Sequence, residues 1–234
     1  MSESPGSTGQ QLAWQPRPLE PFGPLDGAHV SISRFSPQRD AGEFVERLCN
    51  RSDAALWRYL PFEPFDSAKN VTDFFAYVTE HDGWIPYVFR RLEDGLLIGT
   101  ASHMRVRPDA GSAEVGFVLY SRLMQRTIAA TEAMYLLARN VLGESGYRRY
   151  EWKCNDENEA SKRAARRLGF VFEGVFRQDM VVSGRNRDTA WFSLLDREWP
   201  EATRAFETWL APENFDANAI QKRSLAAIRN PGVA

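Results

Sequence analysis

Lysine is scarce in this chain, cysteine scarcer still, and neither sign of charge dominates. Only Lys69, Lys153, Lys162 and Lys222 occur among the 234 residues, and none stands in a context suited to Schiff-base chemistry. Two cysteines, Cys49 and Cys154, cannot build a disulfide framework and fit a reducing compartment. His29, His81 and His103 are scattered without metal-ligand spacing, so no metal is expected. A net charge of −2 argues against a dedicated nucleic-acid binder, which would carry a basic surplus. No apolar run approaches the ~20 residues that cross a bilayer, so no membrane partner is expected. The N-terminus lacks a basic stretch followed by an apolar core, so no secretion leader is expected. The expected location is cytoplasmic.

What is present is the composition of a globular protein, 43% hydrophobic and 26% charged, long enough for one large domain with tails. Residues 1–27 read as an irregular arm, because Pro16, Pro18, Pro21 and Pro24 disrupt any helix or paired strand. Trp14 and Phe22 suggest that part of the arm packs down. A domain over 28–199 and a C-terminal helix and tail over 200–234 complete the division.

Within the domain, Val30 and Ile32 mark a first strand, and Ser36 and Pro37 open a helix with Phe44, Val45 and Leu48 inward. Residues 54–65 hold four aromatics and two prolines. This is either a loop pinned by aromatic anchors or a pocket wall made of Trp57, Tyr59, Phe62 and Phe65. Ser67 caps a second helix with Val71, Phe74, Phe75 and Val78 inward. Strands at 85–91 and 96–106 follow, joined through Glu93, Asp94 and Gly95.

Residues 114–133 come next. Val115, Phe117 and Leu119 alternate against Glu114, Gly116 and Tyr120, and a polar loop then enters an Ala- and Leu-rich helix running to about Leu142. A strand feeding a helix through a short loop makes an anion site, because the first turn has unpaired N–H groups and the positive end of the macrodipole. Thr127 and Thr131 are cap-type residues there, and Ala129 and Ala130 leave room for a ligand. A strand at 147–154, a helix at 160–168 ending on Gly169, strands at 170–182 and 189–195 around a polar turn at 183–188, and a helix at 198–210 complete the order. The class is α+β or mixed α/β.

Four passages within this order resemble the GNAT acyltransferases, especially their RimJ/RimL-like branch. Residues 113–118 resemble the family's fourth strand. Gln125 to Ala130 falls on its pyrophosphate loop, Q/R-x-x-G-x-G/A. Asn158 with Ser161, followed by Leu168, Gly169 and Phe170, resembles its N-x-x-S…L-G-F signature, and residues 173–199 resemble its terminal hairpin. The resemblance covers residues 29–199. It implies a mostly antiparallel twisted sheet flanked by helices, and an N-acetyltransferase that uses acetyl-CoA as co-substrate with no metal. The acceptor would be a primary amine, on a protein N-terminus or a small molecule, and the protein a monomer or homodimer. A catalytically silent binding module is the alternative.

The same resemblance assigns roles. Glu114 would accept the proton that an ammonium must lose before it attacks a thioester; as an alternating strand residue it could equally be a surface glutamate. N–H groups near Phe117 and Val118 would polarise the carbonyl, and Ser161 would assist the leaving sulfur. Asn158 would bind the pantetheine arm or simply cap its helix. Gln125, Arg126, Thr127, Ile128, Ala129, Ala130 and Thr131 would cradle the pyrophosphate. Arg126 and Ile128 stand where glycines are usual, so the cradle is expected to work through residues of ordinary negative φ, with Arg126 adding a charge. Ala165 replaces a tyrosine common in the family, which leaves Ser161 as the acid. Cys154 is read as a buried thiol, since no histidine lies near it in sequence. The basic cluster Lys162, Arg163, Arg166 and Arg167 is a solvated face or an attraction for the CoA 3′-phosphate.

Overall fold

The computed structural model describes residues 12–50 and 55–229; the outer part of the N-terminal arm, residues 51–54 and the last five residues lie outside them. Eight strands form one sheet: β1 (Leu25–Asp26), β2 (Val30–Arg34), β3 (Ile85–Arg91), β4 (Leu97–Arg107), β5 (Ser112–Tyr120), β6 (Arg149–Asn155), β7 (Val171–Val182) and β8 (Arg185–Leu195). Their order is β1-β2-β3-β4-β5-β6-β8-β7. β5 and β6 are parallel, and every other neighbouring pair is antiparallel.

Helices cover both faces. α1 (Pro37–Leu48) and α2 (Ala68–Asp82) lie on one, where Phe44, Leu48, Val71 and Phe75 pack with Val88, Leu97 and Leu119 of the sheet. α3 (Ile128–Ala138) and α5 (Trp199–Leu210) lie on the other, with Val30, Ile32, Tyr87, Val115, Tyr150 and Phe192. Each such side chain taken fully out of water contributes roughly 1.5–3 kcal/mol, so these two layers dominate the fold's stability. α4 (Glu159–Leu168) closes the end of the sheet, and a short α6 (Leu225–Arg229) buries Leu225 in the larger core.

Local chemistry sets the helix ends. Ser67 accepts the Asn70 N–H at 3.2 Å and Gly83 ends α2 at φ 64°; Gly169 ends α4 at φ 102°. Left-handed positions such as these favour a residue without a Cβ. Asp40, fully buried on α1, accepts from Arg39, Arg90 and the Ser36 N–H, which ties α1 to β3. The described arm packs as Trp14 and Phe22 suggested: Trp14 meets Tyr147 edge-on, Phe22 stacks on Tyr87, and β1 pairs with β2.

Three expectations change. The alternation across residues 114–120 breaks at a bulge, where two rungs of β4 (Thr100 and Ser102) face Leu119 and Gly116 with an extra residue on β5. Phe117 sits there at φ 49°. Val115 therefore enters the α3–α5 core, whereas Phe117 and Leu119 enter the α1–α2 core, because one inserted residue reverses strand parity. The polar stretch 183–188 is mostly strand. Only Ser183 and Gly184 turn, both at positive φ, and Val182 pairs with Arg185, the geometry of a two-residue hairpin. The helix after the polar loop ends its α-helical course at Ala138 and continues as a π-helical turn, Arg139–Glu144.

Candidate active site

The parallel pair is where the sheet opens. β5 and β6 share rungs only from Ser112 with Arg149 to Val115 with Trp152. Beyond that β5 follows β4 to Tyr120, while β6 follows β8 to Asn155. The strands part, and a cavity of about 290 Å³ lies between them. Glu114, Phe117 and Val118 of β5 line it, as do Asn158 and Ser161 at the start of α4 and Tyr59 and Phe62 of the loop between α1 and α2. These seven expected site residues come together.

Glu114 is 1% exposed, with Lys153 Nζ at 3.4 Å and Arg105 Nε at 3.7 Å from its Oε2. Burial pushes its carboxyl above the usual glutamate range, against the attraction of Lys153 and Arg105. The parallel register sets Glu151 beside it, and that second buried carboxylate is held by Arg107 and Arg149. Glu114 is thus a buried acid, and the surface alternative does not apply.

Ser161 Oγ accepts the Trp152 indole N–H at 3.0 Å, and its own O–H can donate, with the Cys154 sulfur beside it; a hydroxyl that accepts is a stronger donor. Asn158 caps α4 through its carboxamide oxygen, accepting the Ser161 N–H at 3.0 Å. That leaves its NH₂ group for the cavity. Burial pushes the Cys154 thiol up, which keeps it protonated, as a buried strand-end thiol should be. Phe117 lies amid five aromatic rings, Trp57, Phe62, Phe74, Phe75 and Trp84. Its bulge leaves it and Val118 without a rung to β4 or β6.

The other end of the opening is the start of α3. Thr127 caps it, its Oγ1 accepting the Ala130 N–H at 3.3 Å and donating to the Met124 carbonyl at 2.7 Å. The N–H groups of Ile128 and Ala129 in the first turn are left without intrahelical partners. Gln125 donates to the Tyr120 carbonyl. Arg126 sits at φ 63°. The expectation of ordinary negative φ through this loop fails at Arg126 alone, where arginine adopts the left-handed conformation that glycine favours; residues 127–130 keep negative φ. Thr131 is buried and accepts from Arg167 at 3.0 Å. The basic cluster therefore divides. Arg167 turns to the first turn of α3, Arg166 lies over Phe172 and Phe192, and Lys162 pairs with Asp156 and Glu159.

The residues of the α3 start, Gln125 to Thr131, do not line the cavity itself. Nor do Trp57 and Phe65. Trp57 is buried and donates to the Leu48 carbonyl at 2.7 Å, with Phe65 edge-on against it. Those two are loop anchors; Tyr59 and Phe62 are the wall. Lys153, Arg105, Trp152 and Arg187 were not singled out from sequence. The clue for Lys153 was its place two residues after Glu151 on an alternating strand, but only the parallel register brings it to Glu114.

A sheet opened at its parallel pair, with helices on both faces and a helix N-terminus behind the opening, defines the class: an N-acyltransferase-type α/β fold. Within that class the chain belongs to the GNAT family of acetyltransferases, for the family profile described as Acetyltransferase (GNAT) domain matches residues 30–171. A GCN5-related N-acetyltransferase from Brucella melitensis is similar, with 38% identity and a TM-score of 0.88 over 93% of this chain and 99% of that one. A probable acetyltransferase of the GNAT family from Chromobacterium violaceum ATCC 12472 shares 34% identity, with a TM-score of 0.75 over 86% and 100%. The Bacillus subtilis (strain 168) protein named "Putative ribosomal N-acetyltransferase YdaF" is 31% identical over 108 residues, 46% of this chain. The match spans 58% of that relative's length. Its name is consistent with the RimJ/RimL-like branch.

Proposed function

We propose that the protein transfers an acetyl group from acetyl-CoA to a primary amine, by direct attack in a ternary complex, with residues 28–199 as the catalytic domain. The observation that carries this reading is the meeting of Glu114, the Phe117–Val118 bulge and Ser161 in one cavity where β5 and β6 part. The residues present fit acetyl-CoA. The unpaired edge of β5 offers backbone groups to an extended pantetheine arm, and the capped start of α3, with Arg126 and Arg167 beside it, suits a pyrophosphate. When bound, the co-substrate supplies a thioester whose carbonyl carbon can accept an amine.

The chain's own residues do the rest. Glu114, with its carboxyl raised by burial, takes the proton of the incoming ammonium. The N–H groups at Phe117 and Val118 face developing negative charge on the carbonyl oxygen. Ser161 donates to the departing sulfur. Tyr59 and Phe62 wall the acceptor side. The acceptor is a protein N-terminal amine, in keeping with the ribosomal name of the Bacillus relative, or a small amine. The missing glycines at 126 and 128 favour a silent binding module, and the left-handed Arg126 counts against it.

Calorimetry with acetyl-CoA tests the reading, followed by CoA release on an amine panel. Binding at micromolar concentration with amine-dependent release is expected. No binding at millimolar acetyl-CoA overturns it.

A further inference from the structure

The cations around the opening differ in one respect. Arg105 and Lys153 lie against Glu114, Arg107 against Glu151, and Arg149 against Glu173. Arg187 has no such partner: no carboxylate lies within ion-pair distance of it among the described residues. Yet it is only 8% exposed. It projects from β8 beyond the last rung with β6, Thr189 with Asn155, and lines the same cavity as Glu114, Phe117 and Ser161. One terminal nitrogen makes a long contact, 3.4 Å, to the Tyr59 carbonyl. Its Nε is buried without any partner.

A guanidinium held largely out of water, with an unfilled donor and only the more distant carboxylates of Asp179 and Glu114 for counter-charge, is costly. Removing it would relieve the fold unless something in the working complex completes it. Its planar fork suits a carboxylate, which can take two parallel N–H donors at once. The position also limits the source. The α3 start, where the CoA phosphates would sit, does not reach this cavity, so the anion is one delivered to the reactive end.

We propose that Arg187 binds a carboxylate carried into the cleft by a substrate, and so selects carboxylate-bearing substrates over their neutral counterparts. This rests on the N-acetyltransferase reading of the cavity. Two sources share this chemistry: the acceptor, as in a free amino acid or an acidic first residue of a peptide, and the far end of a dicarboxylic acyl donor.

The test uses the full chain and substrate pairs matched except for the carboxylate. On the acceptor side these are phenylalanine against phenylalanine amide, and a peptide beginning with Glu against one beginning with Gln. On the donor side they are succinyl-CoA against acetyl-CoA. Each pair is measured by calorimetric Kd and by kcat/KM. The carboxylate member of one pair is expected to be favoured about tenfold or more, and the pair showing this identifies the source. In Arg187→Met the preference falls to about one in both Kd and kcat/KM, while Tm holds or rises because an unpaired buried charge is gone. Equal Kd and kcat/KM within every pair in the unmodified protein overturns the proposal and requires no variant. A large fall in Tm for Arg187→Met with the preference intact also overturns it, making Arg187 a brace for the Tyr59 loop. Acyl-CoA binding separates the two levels. If acetyl-CoA binds and no pair discriminates, only the Arg187 assignment fails; if neither acetyl-CoA nor succinyl-CoA binds, the acyltransferase reading falls and this proposal with it.

Discussion

The two ends of the opening are built from different materials. At the reactive end the groups are side chains, Glu114, Ser161, Lys153 and Arg187, brought from β5, α4, β6 and β8. At the α3 end they are mainly backbone N–H groups, aimed by Thr127 and by the left-handed Arg126. A side-chain site is broken by deleting one functional group, whereas a backbone site survives most substitutions that keep its shape. The reactive end should therefore be fragile in rate, and the α3 end tolerant in affinity.

Glu114→Gln is the sharpest break. Loss of a positioned base lowers rate by about 10² to 10⁴, so kcat/KM should fall in that range while calorimetric affinity for acetyl-CoA stays within a few-fold. The pH profile gives an independent reading. In the proposed mechanism Glu114 works ionised, and its carboxyl is raised by burial, so kcat/KM should fall as pH drops through a limb above the ordinary glutamate range. That limb should vanish in the variant. Stability runs the other way. With the folded pKa above the unfolded one, the folded state holds the extra proton between them, so stability declines as pH rises through that window. Glu114→Gln should flatten the decline in Tm. A variant with full rate and the same acid limb would take Glu114 out of the chemistry.

Ser161→Ala should cost less, roughly ten- to a hundredfold in kcat, the value of one hydrogen bond of about 1–3 kcal/mol. It also leaves the Trp152 N–H unpartnered. Comparing acetyl-CoA with an acyl donor whose leaving thiol is more acidic separates the two effects. The better leaving group should recover much of the lost rate if Ser161 serves the sulfur, and none if its role is only to hold Trp152.

What could be read in advance follows the same division. That Glu114, Asn158 and Ser161 would meet in one cavity was legible from their motif spacings, and Gly169 because a helix end at positive φ favours glycine. The bulge at Phe117 was not. Its φ of 49° leaves no trace in residue type, and missing it reversed the expected parity of half a strand. The polar composition of 183–188 reads as a turn, although two residues at positive φ suffice to reverse the chain. That reading hid Arg187 among apparent loop residues. Aromatic density at 54–65 was informative without separating roles. Tyr59 and Phe62 reach the cavity, whereas Trp57 anchors the loop from inside the core and Phe65 packs against it. Lys153 depended on the parallel register of β5 and β6, a long-range fact no local window contains.

At the α3 end, Thr127→Ala removes the acceptor for the Ala130 N–H. Loss of such a cap costs about 1 kcal/mol, which lowers Tm by roughly 2–4 °C in a chain of this size. Acetyl-CoA affinity should change by only a few-fold, since the freed N–H remains available to the phosphates. A fall of a hundredfold or more would mean that the threonine hydroxyl itself is a ligand, and the contrast between the two ends would be lost.

Arg126→Gly has the smallest expected effect and asks the most direct question of this end. A left-handed backbone costs a non-glycine residue about 1–2 kcal/mol, and glycine returns roughly 0.5–1 kcal/mol of that through the entropy of the unfolded chain. The net gain should lie between about 0 and 1.5 kcal/mol, visible as an unchanged or slightly raised Tm. If the loop binds through backbone shape, affinity for acetyl-CoA should hold within about threefold, because glycine keeps the shape and loses only a guanidinium in a region that Arg167 also serves. If instead the charge of Arg126 substitutes for the absent glycines, affinity should fall about tenfold or more, with a matching loss of salt dependence. Calorimetry at two ionic strengths distinguishes these outcomes. The second would show that this end, like the reactive one, depends on a side chain.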